Sequence, residues 1–175
     1  MDKKYFILFI LIPAIVILVF LGIQLFTFSF GQEILLKTAP VDPRDLFRGD
    51  YVTLSYEISR VELNNIPYDS NFSSGETIYA ALSKEEKFWT IDSVSHTKPN
   101  LDNNQVCMKG RVTSCFNNQV FVKWGIESYF VPEGGGALIE SQRNAENTSV
   151  IVSVDCTCSS VLKELLINDV PVEFE

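Results

Sequence analysis

Residues 5–23 read YFILFILIPAIVILVFLGI, nineteen in a row without a charge, and no charged side chain follows until Glu33. Fifteen of the nineteen are Leu, Ile, Val or Phe. As a helix the run covers roughly 28 Å, close to the ~30 Å of a bilayer's hydrocarbon. Its transfer into lipid is favoured by about 5 kcal/mol even with Pro13 and Gly22 discounted, and both breakers are tolerated in a spanning helix. A cleaved secretory signal has a shorter apolar stretch ending at small residues, whereas this one runs on into Phe26, Phe28 and Phe30. A core helix this uniformly apolar needs protein on every side, more than the rest of the chain supplies. The expectation is an uncleaved signal anchor over residues 5–30, a short N-terminus at 1–4 and an outer domain at 31–175. Lys3 and Lys4 precede the run while Gln32 and Glu33 follow it, which places the N-terminus in the cytoplasm and the domain outside, on the periplasmic side if two membranes are present.

Setting aside Lys3, Lys4 and Asp2 leaves 12 Lys and Arg against 21 Asp and Glu, a formal charge of −9. Such a domain repels phosphate backbones and anionic head groups taken as a whole, so nucleic acid is not an expected partner.

The outer part reads as mainly β: an antiparallel β-sandwich or small barrel with one short helix. Residues 33–38 form a short strand, 40–48 a charged loop with two prolines, and 50–59 the clearest strand. In that strand Val52, Leu54, Tyr56 and Ile58 share the core face while Tyr51 faces the other way. Strands follow at 77–82 and 88–94. A hairpin is expected from 106–116 and 120–124 around Asn117, Asn118 and Gln119, a turn tolerant of positive φ. After the glycines at 134–136 a two-turn helix is expected at 137–144, then a closing strand pair at 150–154 and 161–167.

The stretch Gly49-Asp50-Tyr51-Val52-Thr53-Leu54-Ser55-Tyr56 fits G-D-Y-x-x-L-x-Y, and Pro40-Val-Asp-Pro-Arg-Asp-Leu-Phe-Arg48 precedes it. This resembles the bacterial membrane-anchored GDYxxLxY family. Trp124-Gly-Ile-Glu-Ser-Tyr-Phe-Val-Pro-Glu-Gly134 looks like that family's second motif. The resemblance implies a bacterial membrane protein with a polytopic membrane protein as gene neighbour and partner, and it implies no activity. Physically, Gly49 permits a tight approach to the strand and Asp50 accepts hydrogen bonds from loop amides. Asp42, Arg44, Asp45 and Arg48, around Pro43, alternate in sign and are suited to pair with one another or with Glu133. They serve either as a latch holding the loop on the sheet or as a polar pocket for a ligand whose identity the sequence does not give. The segment 46–50 also resembles the strand start of membrane-bound signal peptidases, but residues 39–48 contain no Ser to act as nucleophile.

Cys107, Cys115, Cys156 and Cys158 face an oxidising compartment in this reading, and four cysteines allow three pairings, none selected by spacing. Cys107 and Cys115 meet only if the chain turns at Lys109-Gly110; on one straight strand they stand about 26 Å apart. The C-x-C spacing is not that of a zinc knuckle, and His96 is the single histidine, so no metal or cofactor is expected. His96 reads as a loop residue without an identifiable partner. With no catalytic constellation legible, the sequence leans away from an enzyme. It leans toward an interaction or accessory module for an integral membrane or envelope partner, with a small-ligand or sensory domain built on the charged loop as the alternative.

Overall fold

The structure is a computed structural model that describes residues 3–39, 51–130 and 148–172, with the backbone alone for 3–8, 51 and 52. It begins with α1, Lys3–Phe30, which runs through Pro13 without interruption. The 22 residues Phe9–Phe30 are long and apolar enough to cross a membrane. Every side chain from Phe9 to Phe26 is exposed, and only Thr27 in the last turn is buried. Among the described residues nothing buries the stretch from Phe9 to Phe26.

A single residue separates α1 from β1 (Gln32–Ala39). β1 pairs antiparallel with β10 (Thr148–Val154), which pairs with β11 (Ser160–Ile167), and β11 with β12 (Val170–Pro171); the short β3 (Ser55–Tyr56) joins the far end of β1. These five form one sheet. The second sheet, also of five strands, has the order β4 (Arg60–Glu62), β8 (Gln119–Lys123), β7 (Gln105–Phe116), β5 (Thr77–Glu85), β6 (Phe88–Ser95). A ribbon of β2 (Tyr51–Thr53) and β9 (Ser128–Phe130) completes the fold, and every strand pairing named is antiparallel. One apolar core lies between the sheets, drawing Ile34, Leu36 and Val150 from the first and Ile78, Leu82 and Met108 from the second. Each such side chain taken out of water contributes about 1.5–3 kcal/mol. The architecture is the expected antiparallel β body behind one apolar helix; the helix expected at 137–144 lies outside the described residues.

Two-residue turns set the hairpins. Asn117 and Asn118 have φ of 48° and 61° and join Phe116 to its partner Gln119. Asn168 and Asp169, at 52° and 66°, do the same between Ile167 and Val170. Asn and Asp adopt this left-handed geometry at small cost, and its twist suits antiparallel strands.

One expectation changes. The strand at 50–59 is broken: β2 pairs with β9, β3 with β1, and after a 3₁₀ turn at Glu57–Ser59 the chain enters β4 and pairs with β8. The alternation that suggested one strand survives, because Leu54, Tyr56 and Ile58 are all buried, but the pairing partner changes every few residues. The strand expected at 106–116 is present as β7, which runs through Gly110 without a turn, so Cys107 and Cys115 do not meet. A Cβ at Gly110 would stand 2.7 Å from the Trp124 ring and 2.5 Å from Val122 Cγ1, so the glycine admits the indole against the strand.

The last turn of α1 is fastened to the β body. Thr27 Oγ1 donates to Asp155 Oδ2 at 2.6 Å, and Thr27 O accepts from Ser153 Oγ at 2.6 Å and from Gly31 N at 3.0 Å. Partial burial pushes the Asp155 carboxyl up, but hydrogen bonds from Thr157, Thr27 and Ser159 outweigh it and hold the group below the ordinary carboxylate range. A Cβ at Gly31 would collide with Ser153 Oγ and lie 2.6 Å from Thr27 O. Gly31→Ala is therefore expected to weaken this docking by about 1–3 kcal/mol. Amide exchange should accelerate in residues 153–159 and stay unchanged in β5 and β7; unchanged exchange at 153–159 would count against a tight junction.

Candidate functional site

The two sequence motifs meet. Tyr51 lies opposite Phe130, Val52 opposite Tyr129 and Thr53 opposite Ser128. Leu54 N continues the ladder by donating to Glu127 O at 2.7 Å, and the Tyr56 hydroxyl donates to Ile126 O at 2.5 Å. Tyr56 is 1% exposed, and burial, followed by the negative charge of Glu127, pushes its phenol far above the ordinary value, so the hydroxyl stays protonated and donating.

The first four residues of the second motif each have a local reason. Trp124 packs over Gly110, and Gly125 takes φ +84°, which side chains with a Cβ rarely adopt. Ile126 is buried and offers its carbonyl to Tyr56. The Glu127 carboxylate closes the turn by accepting from the amides of Trp124 and Gly125. In the first motif, Leu54 and Tyr56 face the core as expected.

The site candidates Asp42, Pro43, Arg44, Asp45, Arg48, Gly49, Asp50 and Glu133 lie outside the described residues, as does the side chain of Tyr51. What the described residues fix is where those segments attach. Tyr51, which follows Asp50, is paired with Phe130, which precedes residue 131, so the two segments join the described residues at paired positions.

Just beyond Tyr56 the chain lines an open cleft of about 220 Å³. β4 and β6, the two edges of the second sheet, both contribute to it, so the sheet curls until its edges face one cleft. Ile58, Val61, Trp89 and Ile91 supply apolar walls, and Arg60 and Glu62 line it with them. A Lys37–Glu57 ion pair of 2.7 Å stands among the lining residues. With both side chains about half exposed the pair adds at most about 1 kcal/mol. Among the described residues no Ser, Cys or His lines the cleft, and it is smaller than the roughly 300–1,000 Å³ of drug-sized sites.

His96, read from sequence as lacking a partner, has several. Its Nδ1 is 2.8 Å from Asp69 Oδ1, its backbone N donates to Asp69 Oδ2 at 2.8 Å, and Nε2 is 3.4 Å from Glu76 Oε2. The ring stacks on Phe72 with centroids 4.2 Å apart. Ser70 Oγ is 3.2 Å from the same Nδ1 that Asp69 occupies, whereas a Ser-His-Asp relay needs Ser and Asp on opposite ring nitrogens. The group is a loop clamp.

The hydrogen bond that the His96 ring donates to Asp69 raises the His96 pKa, slight burial opposes it, and the charges of Asp69 and Glu76 add to the rise. Slight burial raises Asp69 while hydrogen bonds from His96 and Ser70 lower it further, for a net drop. Protonated His96 thus stabilises the folded loop fully below the unfolded value of about 6.5, and that contribution is lost as pH rises through the folded pKa. The Asp69 contribution is present above about 3.9 and is lost as pH falls through its lowered folded pKa. Amide protection in residues 64–76, corrected for intrinsic exchange, is expected to fall between pH 6 and 9, and His96→Ala should abolish the trend.

Cys107 and Cys158 form a disulfide with Cα atoms 4.8 Å apart. Cys115 and Cys156 are free and exposed. Partial burial, then the charge of Glu76, raises the Cys115 thiol, which leaves it a poor nucleophile at neutral pH. Among the described residues no group of three or more His, Cys, Asp or Glu is placed to hold a metal.

These features define a small antiparallel β body, locked to an apolar N-terminal helix and held together where its two motifs pair. The chain belongs to the family described as GDYXXLXY protein, which it matches over residues 13–165, from within α1 to within β11. Neither a curated protein nor a solved structure matches it.

Proposed function

We propose that this is a single-pass membrane protein whose β domain stands outside the cytoplasm as an accessory module for an integral membrane partner. The observation that carries the reading is the junction: α1 offers lipid an uncovered apolar surface, and its last turn is bonded to Ser153 and Asp155 with only Gly31 intervening before β1. A domain so fastened is held at the bilayer surface, within reach of a neighbour in the same membrane and without a free stalk. The Cys107–Cys158 bridge supports an oxidising compartment, and Lys3 and Lys4 support a cytoplasmic N-terminus. The paired motifs contribute architecture, leaving the charged segments beyond Tyr51 and Phe130 as the partner-facing element.

Affinity purification of the full chain from native membranes, with mass spectrometry of the eluate, tests this. A polytopic membrane protein recovered in stoichiometric amount is the expected result; recovery of the chain alone under mild detergent would remove the accessory role. The cleft between β4 and β6 favours a second reading, a small-ligand domain, which that negative outcome would bring forward.

A further inference from the structure

Thr27 lies three residues before the end of α1, about 4.5 Å back toward the middle of the helix. Its side chain holds Asp155, so the turn at 155–159 sits beside the last turn of the helix and not above it. The apolar run ends at Phe30 and the first charge after it is Glu33, so that level is the bilayer interface. Against a formal charge of −8 for the whole chain, the surroundings of this turn are basic. Lys98 Nζ donates to Cys156 O at 2.6 Å, Lys109 N donates to Cys158 O at 2.8 Å, and Lys163 Nζ lies 4.8 Å from the Phe28 ring.

Two carboxylates, Glu33 and Asp155, stand at this end against the three lysines, so one positive charge is left over. Glu33 accepts from Lys163 at 2.8 Å, and Asp155 accepts from Thr27 Oγ1, Thr157 N and Oγ1, and Ser159 N. Lys98 and Lys109 are exposed, and among the described residues neither forms an ion pair: Lys98 meets a neutral carbonyl, and Lys109 Nζ lies 6.0 Å from the Tyr79 ring.

The geometry points to a second contact with the bilayer: the 155–159 turn, with Lys98 and Lys109, binds the headgroups of anionic phospholipids. The inference rests on the spanning role proposed above for α1. It reverses locally what the net charge suggests, because interfacial attraction decays within a Debye length of about 10 Å and is set by the nearest charges. The disulfide secures the turn to β7, and the Thr27 latch secures it to the helix, so the two lysines are presented at a fixed level.

The test is lysine footprinting of the full chain with an uncharged acylating ester, in phosphatidylcholine vesicles and in vesicles containing 30% phosphatidylglycerol. Lys37 and Lys87 are internal references. Lys37 pairs at the opposite end of β10 from the turn, and Lys87 is ion-paired with Asp169 beyond the far end of β11. Acylation of Lys98 and Lys109 relative to these two is expected to fall at least about fivefold on adding the anionic lipid. Equal relative rates in the two lipid mixtures would overturn the inference. Alkaline extraction of the same vesicles separates the two readings. A chain that washes off shows that α1 does not span, and the headgroup contact falls with it. A chain that resists extraction while its lysines ignore lipid charge loses the headgroup contact alone. As a second measure, Lys98→Gln with Lys109→Gln should lose the enrichment of anionic over neutral lipid co-purifying with the wild-type chain; retained enrichment would likewise count against these two side chains.

Discussion

Tyr56→Ala is expected to lower the unfolding free energy of the β body by about 3–5 kcal/mol, a large share of the roughly 5–15 kcal/mol that holds a domain together. The ring is fully enclosed in the core shared by both sheets, and neighbouring strands on several sides prevent the site from collapsing around the loss. Tyr56→Phe separates the two parts of the effect. It keeps the ring and removes only the donor to Ile126 O, at a cost of about 1–3 kcal/mol for the carbonyl left unpaired. Denaturant titration of the full chain in detergent, followed by the fluorescence of buried Trp89 and Trp124, reads both variants. A phenylalanine variant as unstable as the alanine variant would show that the hydroxyl, and not packing, dominates; two near-neutral variants would remove the structural account of this motif position.

The second large effect concerns the bridge between Cys107 and Cys158, separated by 51 residues. Closing a loop of that length restricts the unfolded chain by about 4 kcal/mol on the chain-entropy account, with measured native bridges in the range of about 2–5. The same bridge fixes a residue in an uncommon backbone state, since Cys158 has φ 67°. Cys107→Ser with Cys158→Ser should therefore shift the denaturation midpoint strongly, and adding reductant to the wild type should bring it to the same value. Cys115→Ser and Cys156→Ser, which replace exposed free thiols, should change stability by less than about 0.5 kcal/mol. A wild-type midpoint indifferent to reductant would show that the bridge does not form in solution.

Where local chemistry decides the structure, the sequence was readable. The Asn117-Asn118 turn was legible because few other residue pairs accept two successive positive φ values, and the strands around it alternate clearly. β4, β9 and β12 were not, because two or three residues carry no period. The break in the 50–59 strand was hidden for a different reason. Leu54, Tyr56 and Ile58 stay buried while the partner strand changes, and partner identity is a property of the whole fold. The cysteine pairing was unreadable likewise: it depends on the 155–159 turn lying beside β7, 51 positions away along the chain. The His96 clamp had only a faint signal, an aromatic residue with Asp69 and Glu76 around it in one loop, and no rule of spacing brings that loop to the end of β6. The cleft between β4 and β6 follows from the curl of a sheet whose edge strand the sequence concealed. For the charged candidates between Asp42 and Asp50, residue types were plain, and the described residues add their point of attachment at Tyr51.

Residues 51–62 belong in turn to the ribbon, to the first sheet and to the second, handing the chain from Phe130 and its neighbours to Ala39 and then to Phe121. Neither sheet can release its share of this segment without pulling on the other. The two layers are consequently one cooperative unit, and the most protected amides of β10 and of β5 should open with the same free energy, in a single all-or-none event. The family's most recognisable stretch would then govern how the domain resists mechanical pulling from the membrane side. Force entering through α1 and β1 reaches Tyr56 through its pairing with Thr38 before it can peel any strand of the second sheet.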